Sequence, residues 1–196
     1  LKEGIRTSFN CITIDSDTST SDTVLLAATG RALNGLPQSA TAPELKAFRV
    51  ALKELLTDLA IQVVRDGEGA SKFITVDVSG AASNAEARKA ALAIANSPLV
   101  KTAIAGEDAN WGRIIMAVGK SGARLFQKHL AISIGGITIT HAGERVGSYD
   151  ERQITKHLKG TEISIAVDLG VGRSKSRVWT CDLTHDYIRI NADYRT

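Results

Sequence analysis

The spacing of apolar residues in the first third of the chain predicts one long helix. Apolar side chains recur every three or four positions between residues 45 and 63, which is the repeat of one helix face. Thr41 and Glu44 stand where a capping box would open this helix, and Arg65 suits its carboxyl end. We therefore expect the stripe to face the protein core. It consists of Leu45, Phe48, Leu52, Leu55, Leu56, Leu59 and Val63.

Shorter patterns predict a mixture of further strands and helices. Alternation typical of strands occupies 9–15, 73–78, 163–169, 177–182 and 187–190, and four isoleucines between 132 and 139 predict a β-hairpin. Helical spacing occupies 23–28, 83–95, 111–118 and a segment that ends at 158. Capping boxes are expected from Ser83 with Glu86 and from Ser148 with Glu151.

The order of these elements predicts the fold class. Strands and helices intermix, and the hairpins come late in the chain, so we expect an α+β fold, a layered sandwich of mixed β-sheets and helices. A core region over 1–125 would carry a site loop, and a C-terminal α+β region over 126–196 would close the site. The two regions could equally form one domain.

Composition and charge indicate a globular protein without a nucleic-acid or membrane role. The 196 residues are 43% hydrophobic, which is enough for a real core. Lys and Arg number 24 against 21 Asp and Glu, and the basic residues are dispersed, so nucleic-acid binding is not indicated. The longest uncharged tract, 129–143, is broken by glycines and is too short to span a membrane.

Cysteine and histidine usage points away from disulfides and metals. Cys11 and Cys181 lie far apart in the sequence, so we expect a reducing, intracellular compartment and two reduced, buried thiols. The four histidines show no ligand spacing, and no metal is expected. The chain opens with Leu1 and has one methionine, Met116, which indicates that residues are missing or that a longer precursor was cut.

A polar stretch from Asn10 to Thr23 is the most unusual segment of the chain. It reads NCITIDSDTSTSDT and contains no basic residue. Hydroxyl and carboxylate side chains bond nearby backbone groups, so this density predicts an ordered polar turn with a function. Alternatively, Ser21 or Asp22 caps a helix that starts near Thr23, and the two interpretations are compatible.

Two glycine-rich segments do not match known catalytic loops. GEGASK at 67–72 lacks the spacing of a phosphate-binding loop and places Glu68 where a phosphate would approach. GKSG at 119–122 lacks a glycine that the nucleophile turn of serine hydrolases requires. Glu68 stands between two glycines that would leave its carboxylate open to a ligand. Taken alone, an ordinary exposed loop acid is the commoner explanation of such a residue.

Four separated segments, in order, resemble one enzyme family. They are NCITIDSDTSTSDT at 10–23, DGEGASK at 66–72, NSPLVKTAIAGEDANWGR at 96–113 and WTCDLTHDYIRINADYRT at 179–196. Together they closely resemble the β chain of ornithine acetyltransferase, also called glutamate N-acetyltransferase, and the resemblance covers nearly the whole chain. Departures are small. Ala109 stands where the family usually has proline, and Cys11 and Ser16 vary within the first segment.

This resemblance implies a self-processing acetyltransferase with an architecture like that of N-terminal-nucleophile enzymes. Members of the family are made as a precursor that cleaves itself before a threonine, and the α and β chains stay associated. The new N-terminal threonine is the nucleophile, so we expect it upstream of Leu1 and expect no catalytic residue in this chain. The implied reaction moves an acetyl group from N-acetylornithine to glutamate through an acetyl-enzyme. It belongs to arginine biosynthesis in the cytoplasm, in an α2β2 or larger assembly.

By position, the resemblance implies that Glu68, Asn191 and Thr196 contact the substrate. Glu68 would pair with an ammonium group of ornithine, Asn191 would supply a donor and an acceptor, and Thr196 a hydroxyl and the terminal carboxylate. The polar stretch would shape the site or the contact between chains, and Trp111 and Arg113 would support either. No cofactor is implied, although family members differ in whether acetyl-CoA also donates the acetyl group.

Two other functions remain open at this point. A related self-processing amidase or aminopeptidase would pass its acyl group to water instead of to an amine. A non-catalytic subunit would keep the fold without the nucleophile.

Overall fold

One mixed six-stranded sheet organises the molecule in the computed structural model, which describes residues 1–32 and 35–193. The strands are β1 (Phe73–Ala81), β2 (Ala131–Ile134), β3 (Ile137–His141), β4 (Glu144–Arg145), β5 (Glu162–Asp168) and β6 (Ser174–Cys181). Their order in the sheet is β4-β3-β2-β5-β1-β6. Only β1 and β5 run parallel to each other, and the other neighbouring strands described here are antiparallel. The sequence-based α+β fold class is thereby confirmed.

Seven α-helices are described around this sheet. They are α1 (Lys2–Arg6), α2 (Lys46–Arg65), α3 (Asn84–Ala95), α4 (Pro98–Ala105), α5 (Trp111–Gly119), α6 (Glu151–Leu158) and α7 (His185–Asp193). Short 3-10 turns occupy Phe9–Cys11, Pro43–Leu45 and Gln127–His129. None of the helices within 1–32 and 35–193 combines the length and hydropathy that a membrane crossing requires.

The main core lies between the sheet and helices α3 and α5. Strand β5 alternates buried and exposed residues, so Ile163, Ile165 and Val167 face the core. Helix α3 buries four alanines, whose small side chains let the helix axis lie close to the strands. Strand β1 lies between β5 and β6. Residues from 1–125 and from 126–196 therefore share one sheet and one core.

The caps of two helices show how local sequence sets helix starts. The Ser83 hydroxyl accepts a hydrogen bond from the Glu86 N–H, as predicted for the start of α3. Helix α6 also begins where expected, but its cap is Asp150, whose carboxylate accepts from the Arg152 N–H, and not Ser148. An aspartate next to the helix takes the capping position because its side chain reaches the free N–H groups directly.

Three predicted elements are wrong near the two ends of the chain. Residues 9–15 form a 3-10 turn followed by a single parallel bridge between Ile12 and Trp179, and not a strand. Residues 23–28 form no helix, because six residues nucleate poorly and packing that would stabilise a helix is sparse here, with Leu25 and Leu26 both exposed. Residues 187–190 belong to helix α7, whose first turn is supported by the Asp186 N–H donating to the Thr184 hydroxyl.

The predicted core stripe on α2 is also largely wrong. Of its members only Leu56 is buried, while Phe48, Leu59 and Val63 are 55%, 40% and 47% exposed. Helix α2 instead buries the neighbouring face formed by Leu56, Ala60 and Val64. The Thr41–Glu44 capping box does not form either, because the 3-10 turn Pro43–Leu45 precedes the helix and no side chain caps it.

Candidate substrate site

The loop that follows α2 meets the last helix of the chain at Glu68 and Asn191. The Asn191 amide nitrogen donates a hydrogen bond of 2.6 Å to the Glu68 carboxylate, although 123 residues separate the two. The same nitrogen donates to the Tyr187 carbonyl at 3.0 Å, one turn earlier in α7. Two of the three predicted substrate contacts are therefore adjacent. The third, Thr196, lies outside the described residues.

Gly69 makes this meeting sterically feasible. Its backbone has φ +67°, a left-handed conformation that favours glycine. A Cβ at this position would lie 2.3 Å from the Tyr187 nitrogen, far inside any allowed contact. The Thr184 hydroxyl also donates to the Gly69 carbonyl at 2.6 Å. The loop and the start of α7 are thus in backbone contact, and this contact brings Glu68 within hydrogen-bond distance of Asn191.

A buried carboxylate that sequence reasoning missed anchors the other end of the loop. Asp182, 2% exposed, follows β6 directly. It accepts hydrogen bonds from the Ser71 N–H at 2.8 Å, the Lys72 N–H at 2.9 Å and the Ser71 hydroxyl. Hydrogen bonds to an ionised acceptor are stronger than neutral ones, and together they compensate its burial. Asp182 therefore fixes the site loop to the sheet.

A buried lysine donates hydrogen bonds to the last residues of β6, next to Asp182. The Lys101 ammonium, on α4, donates to the Thr180 hydroxyl at 2.9 Å and to the Cys181 carbonyl at 2.5 Å. Burial lowers the pKa of Lys101, an effect opposed by the nearby Cys181, Asp182 and Asp15. In the sequence, Lys101 looks like an ordinary surface lysine in an apolar helix. No neighbouring residue indicates that it is buried.

The polar stretch enters the site through Asp15. The Tyr187 hydroxyl donates to the Asp15 carboxylate at 2.8 Å, and this bond is the main reason that the pKa of Tyr187 rises to about 12. Asp15 also accepts from the Asp17 N–H at 2.9 Å, so the stretch contains an ordered polar turn at 15–17, as predicted. The alternative role, in which Ser21 or Asp22 caps a helix, is wrong because no helix follows.

The geometry creates a region of negative charge. The Asp15 and Glu68 carboxylates both approach Tyr187, where their charges contribute to its raised pKa. Among the ion pairs of residues 1–32 and 35–193, none includes either carboxylate. Such an arrangement can bind a cation, and an ammonium group matches its hydrogen-bond acceptors.

Trp111 and Arg113 lie at the start of α5, away from this hydrogen-bond network. The Arg113 guanidinium donates to the Leu99 carbonyl at 2.8 Å and to the Thr102 hydroxyl at 3.3 Å, both in α4. Trp111 packs against the main core. Neither residue forms a described hydrogen bond with Glu68 or Asn191, so their contacts join α4, α5 and the core.

The described residues include neither a disulfide nor a metal cluster. Cys11 and Cys181 are both buried, as predicted, and both are free cysteines. No group of three or more His, Cys, Asp or Glu side chains within 1–32 and 35–193 is arranged to hold a metal ion.

Comparison with known proteins identifies a family and several similar proteins. The ArgJ family matches residues 1–196. The chain is 56% identical over 196 residues to the arginine biosynthesis bifunctional protein ArgJ of Gluconobacter oxydans (strain 621H), covering 100% of this chain and 46% of that protein. It is 54% identical over 199 residues to the protein of the same name from Brucella suis biovar 1 (strain 1330). That match covers 100% of this chain and 48% of the Brucella protein.

A solved structure agrees with these sequence relationships. The crystal structure of arginine biosynthesis bifunctional protein ArgJ from Bacillus halodurans superimposes with a TM-score of 0.92 at 44% sequence identity. The match covers 98% of this chain and 90% of that one. The chain spans about half the length of the curated relatives that it matches.

Proposed function

The chain belongs to the ArgJ family, and on that premise we propose that it is the β-chain part of an ornithine acetyltransferase. The enzyme moves an acetyl group from N-acetylornithine to glutamate in arginine biosynthesis. The observation that carries the proposal is the hydrogen bond between Asn191 and Glu68, which joins two residues expected to contact substrate. The words arginine biosynthesis and bifunctional in the relatives' names agree with this role.

The acceptor groups of the site suit the side-chain ammonium of ornithine. The Asn191 amide uses its nitrogen for Glu68 and for the Tyr187 carbonyl, which leaves its carbonyl oxygen as an acceptor. Glu68 supplies a second, charged acceptor. A charge-assisted hydrogen bond to this carboxylate contributes roughly 1.5–3 kcal/mol when water is partly excluded. We assign Thr196, at the end of the same segment, to the substrate as well.

The nucleophile in this proposal is a threonine at the mature N-terminus of the β chain. Its hydroxyl attacks the acetyl carbonyl of N-acetylornithine while its own α-amino group, with a pKa near ~8, accepts the proton. Ornithine leaves with a proton on its amine, and the amine of glutamate then takes the acetyl group from the threonine ester. The α chain contributes the oxyanion donors, and the complete enzyme is a cytoplasmic α2β2 or larger assembly.

The reaction type is tested with the full-length, self-processed enzyme. Incubation with N-acetylornithine and glutamate should yield acetylglutamate and ornithine in equal amounts, with little free acetate. Acetate in place of acetylglutamate would identify an amidase. If neither product forms although the precursor is cleaved, the chain is a non-catalytic subunit. Repeating the assay with acetyl-CoA determines whether it is a second acetyl donor.

Replacement of Glu68 tests the substrate site. Glu68→Ala removes the anionic acceptor, so the KM for N-acetylornithine should rise about tenfold, as expected for a partly exposed charged hydrogen bond. Glu68→Gln keeps a partner for Asn191 but lacks the charge, and its KM should also rise. Steady-state kinetics and the thermal midpoint of each variant are measured together. Unchanged KM values in both variants, with folding intact, would remove Glu68 from the site.

A further inference from the structure

Helix α2 carries an uncovered apolar surface, which we call its outer face and define as Phe48, Leu52, Leu55, Leu59 and Val63. These residues follow one another at spacings of three or four, so they form a single stripe along the helix. Four of the five are exposed by 40% or more, and Leu52 is partly buried. The inner face, with Leu56, Ala60 and Val64, is buried. Helix α2 is thus apolar on two adjoining faces, and within residues 1–32 and 35–193 only the inner face is buried.

A groove extends the outer face toward the polar stretch. It has a volume of about 720 Å³ and is lined by the end of α2 and by the irregular segment at 23–25. Its apolar lining includes Leu59 and Val63 from α2 and Val24 and Leu25 from the segment, and Arg65 lines it as well. Leu25 is 86% exposed. Contiguous apolar surface of this kind on a protein commonly marks an interaction site.

We propose that the outer face of α2 and this groove are the docking surface for the α chain of the same precursor. The inference rests on the proposed function, because that function defines the α chain as a partner. The curated relatives contain about as much polypeptide again as this chain. A half of this size that stays associated with this chain needs an interface on it, and the outer face carries the apolar repeat typical of a covered helix.

The position of the surface relative to Glu68 gives a second reason for the same occupant. Helix α2 ends at Arg65, and Asp66 lines the groove just two residues before Glu68. A polypeptide bound along α2 would therefore come close to the substrate site. The proposed reaction needs oxyanion donors from the α chain near that site, and docking along α2 brings them there. A second copy of this chain would bury the same leucines without supplying those donors.

Site-specific photo-crosslinking in the full-length, self-processed enzyme tests this assignment. Leu59 is replaced by p-benzoylphenylalanine in one variant, and Glu54 in the matched control. Glu54 is exposed and lies about 140° around α2 from Leu59. Irradiation should produce an α–β crosslinked species from the Leu59 variant. The Glu54 variant should give at least about tenfold less of it.

Each outcome of this experiment decides the inference. A β–β product, no product, or equal α–β products from both variants would overturn the assignment of the outer face to the α chain. Acetyl transfer is measured separately on the enzyme before irradiation. An α–β crosslink in a protein that does not transfer acetyl groups would refute the proposed function and support the docking surface. An active enzyme without that crosslink would support the proposed function and refute the docking surface.

Discussion

At the scale of single residues, the candidate site depends on side chains whose partners are distant in the sequence. Asp182 holds the backbone of Ser71 and Lys72, which lie 111 and 110 residues away. Lys101, on α4, donates hydrogen bonds to Thr180 and Cys181 at the end of β6. Both charged groups are almost fully buried, and such groups are retained in proteins when hydrogen bonds compensate the loss of water. These two residues position the loop that carries Glu68.

The hydrogen bond between Tyr187 and Asp15 should make stability depend on pH. The folded protein raises the pKa of Tyr187 to about 12 from its ordinary value near 10, so it favours the neutral phenol. The stabilisation is therefore complete below pH ~10 and is lost between pH ~10 and ~12. Tyr187→Phe should lower the thermal midpoint by about 2–4 °C at neutral pH, which corresponds to about 1 kcal/mol.

Two measurements check this expectation. Thermal midpoints of the wild-type and Tyr187→Phe enzymes should converge as the pH rises above 10. The ultraviolet absorbance of tyrosinate, taken as the difference between the two proteins, should report a titration near pH 12. A difference in midpoint that stays constant or grows above pH 10 would contradict the assignment of the raised pKa to this bond.

At the scale of elements, the contact between the site loop and α7 depends on one glycine. Gly69→Ala combines the strain of a left-handed alanine, about 1–2 kcal/mol, with a Cβ 2.3 Å from the Tyr187 nitrogen. Gly122→Ala is the matched control. Its φ is +72°, and no atom lies within 4 Å of the added Cβ. Gly122→Ala should therefore show only the strain, and Gly69→Ala should displace α7 from the loop.

Thermal midpoints and kinetics of both glycine variants separate the two effects. Gly122→Ala should lower the midpoint by a few degrees with an unchanged KM for N-acetylornithine. Gly69→Ala should lower the midpoint further and raise that KM, because Asn191 moves away from Glu68. Equal effects of the two substitutions would show that close backbone contact at Gly69 is unimportant.

Helix α7 also shows why element type is hard to predict near the end of a chain. The alternation of apolar and polar residues at 187–190 favours a strand, yet the segment is helical. Two contacts support the helix: Thr184 accepts from the Asp186 N–H, and Asn191 donates to the Tyr187 carbonyl one turn away. Both are hydrogen bonds between a polar side chain and the backbone, and a pattern of apolar positions contains no information about them.

At the scale of the whole molecule, one sheet brings the site together from both ends of the chain. Strand β6, late in the sequence, pairs with β1 and ends at Cys181. Asp182 follows it, next to the loop that precedes β1. The last helix then returns to the same loop through Thr184 and Asn191. The site therefore exists only when the sheet is complete.

Thiol reactivity should report the integrity of this whole arrangement. Cys11 and Cys181 are both buried, and burial raises the pKa of each thiol. Since the thiolate is the reactive form, iodoacetamide should modify both at least about tenfold more slowly in the folded enzyme than in urea. Peptide mapping by mass spectrometry measures each site. Rapid modification of either cysteine in the folded enzyme would show that its surroundings open without global unfolding.

The sequence by itself determined the class of the protein and most of its regular elements. Local patterns predicted the alternating apolar positions of β1 and β5, the Ser83 cap and the isoleucine hairpin. Such patterns do not depend on which distant segment packs against them. Four ordered segments were enough to indicate the family and to name Glu68 and Asn191. Each of these features depends on neighbouring residues or on residue identity alone, so it can be predicted from the sequence.

Only the tertiary structure decided which residues are buried and which of them meet. The apolar stripe of α2 has the same spacing whether it faces a core or a partner chain, and only the fold of the described residues showed that most of it is exposed. Likewise, the burial of Asp182 and Lys101 and the contact between Asn191 and Glu68 arise from pairing of distant segments in one sheet. Burial and long-range hydrogen bonds are properties of the packed chain, and no local periodicity encodes them.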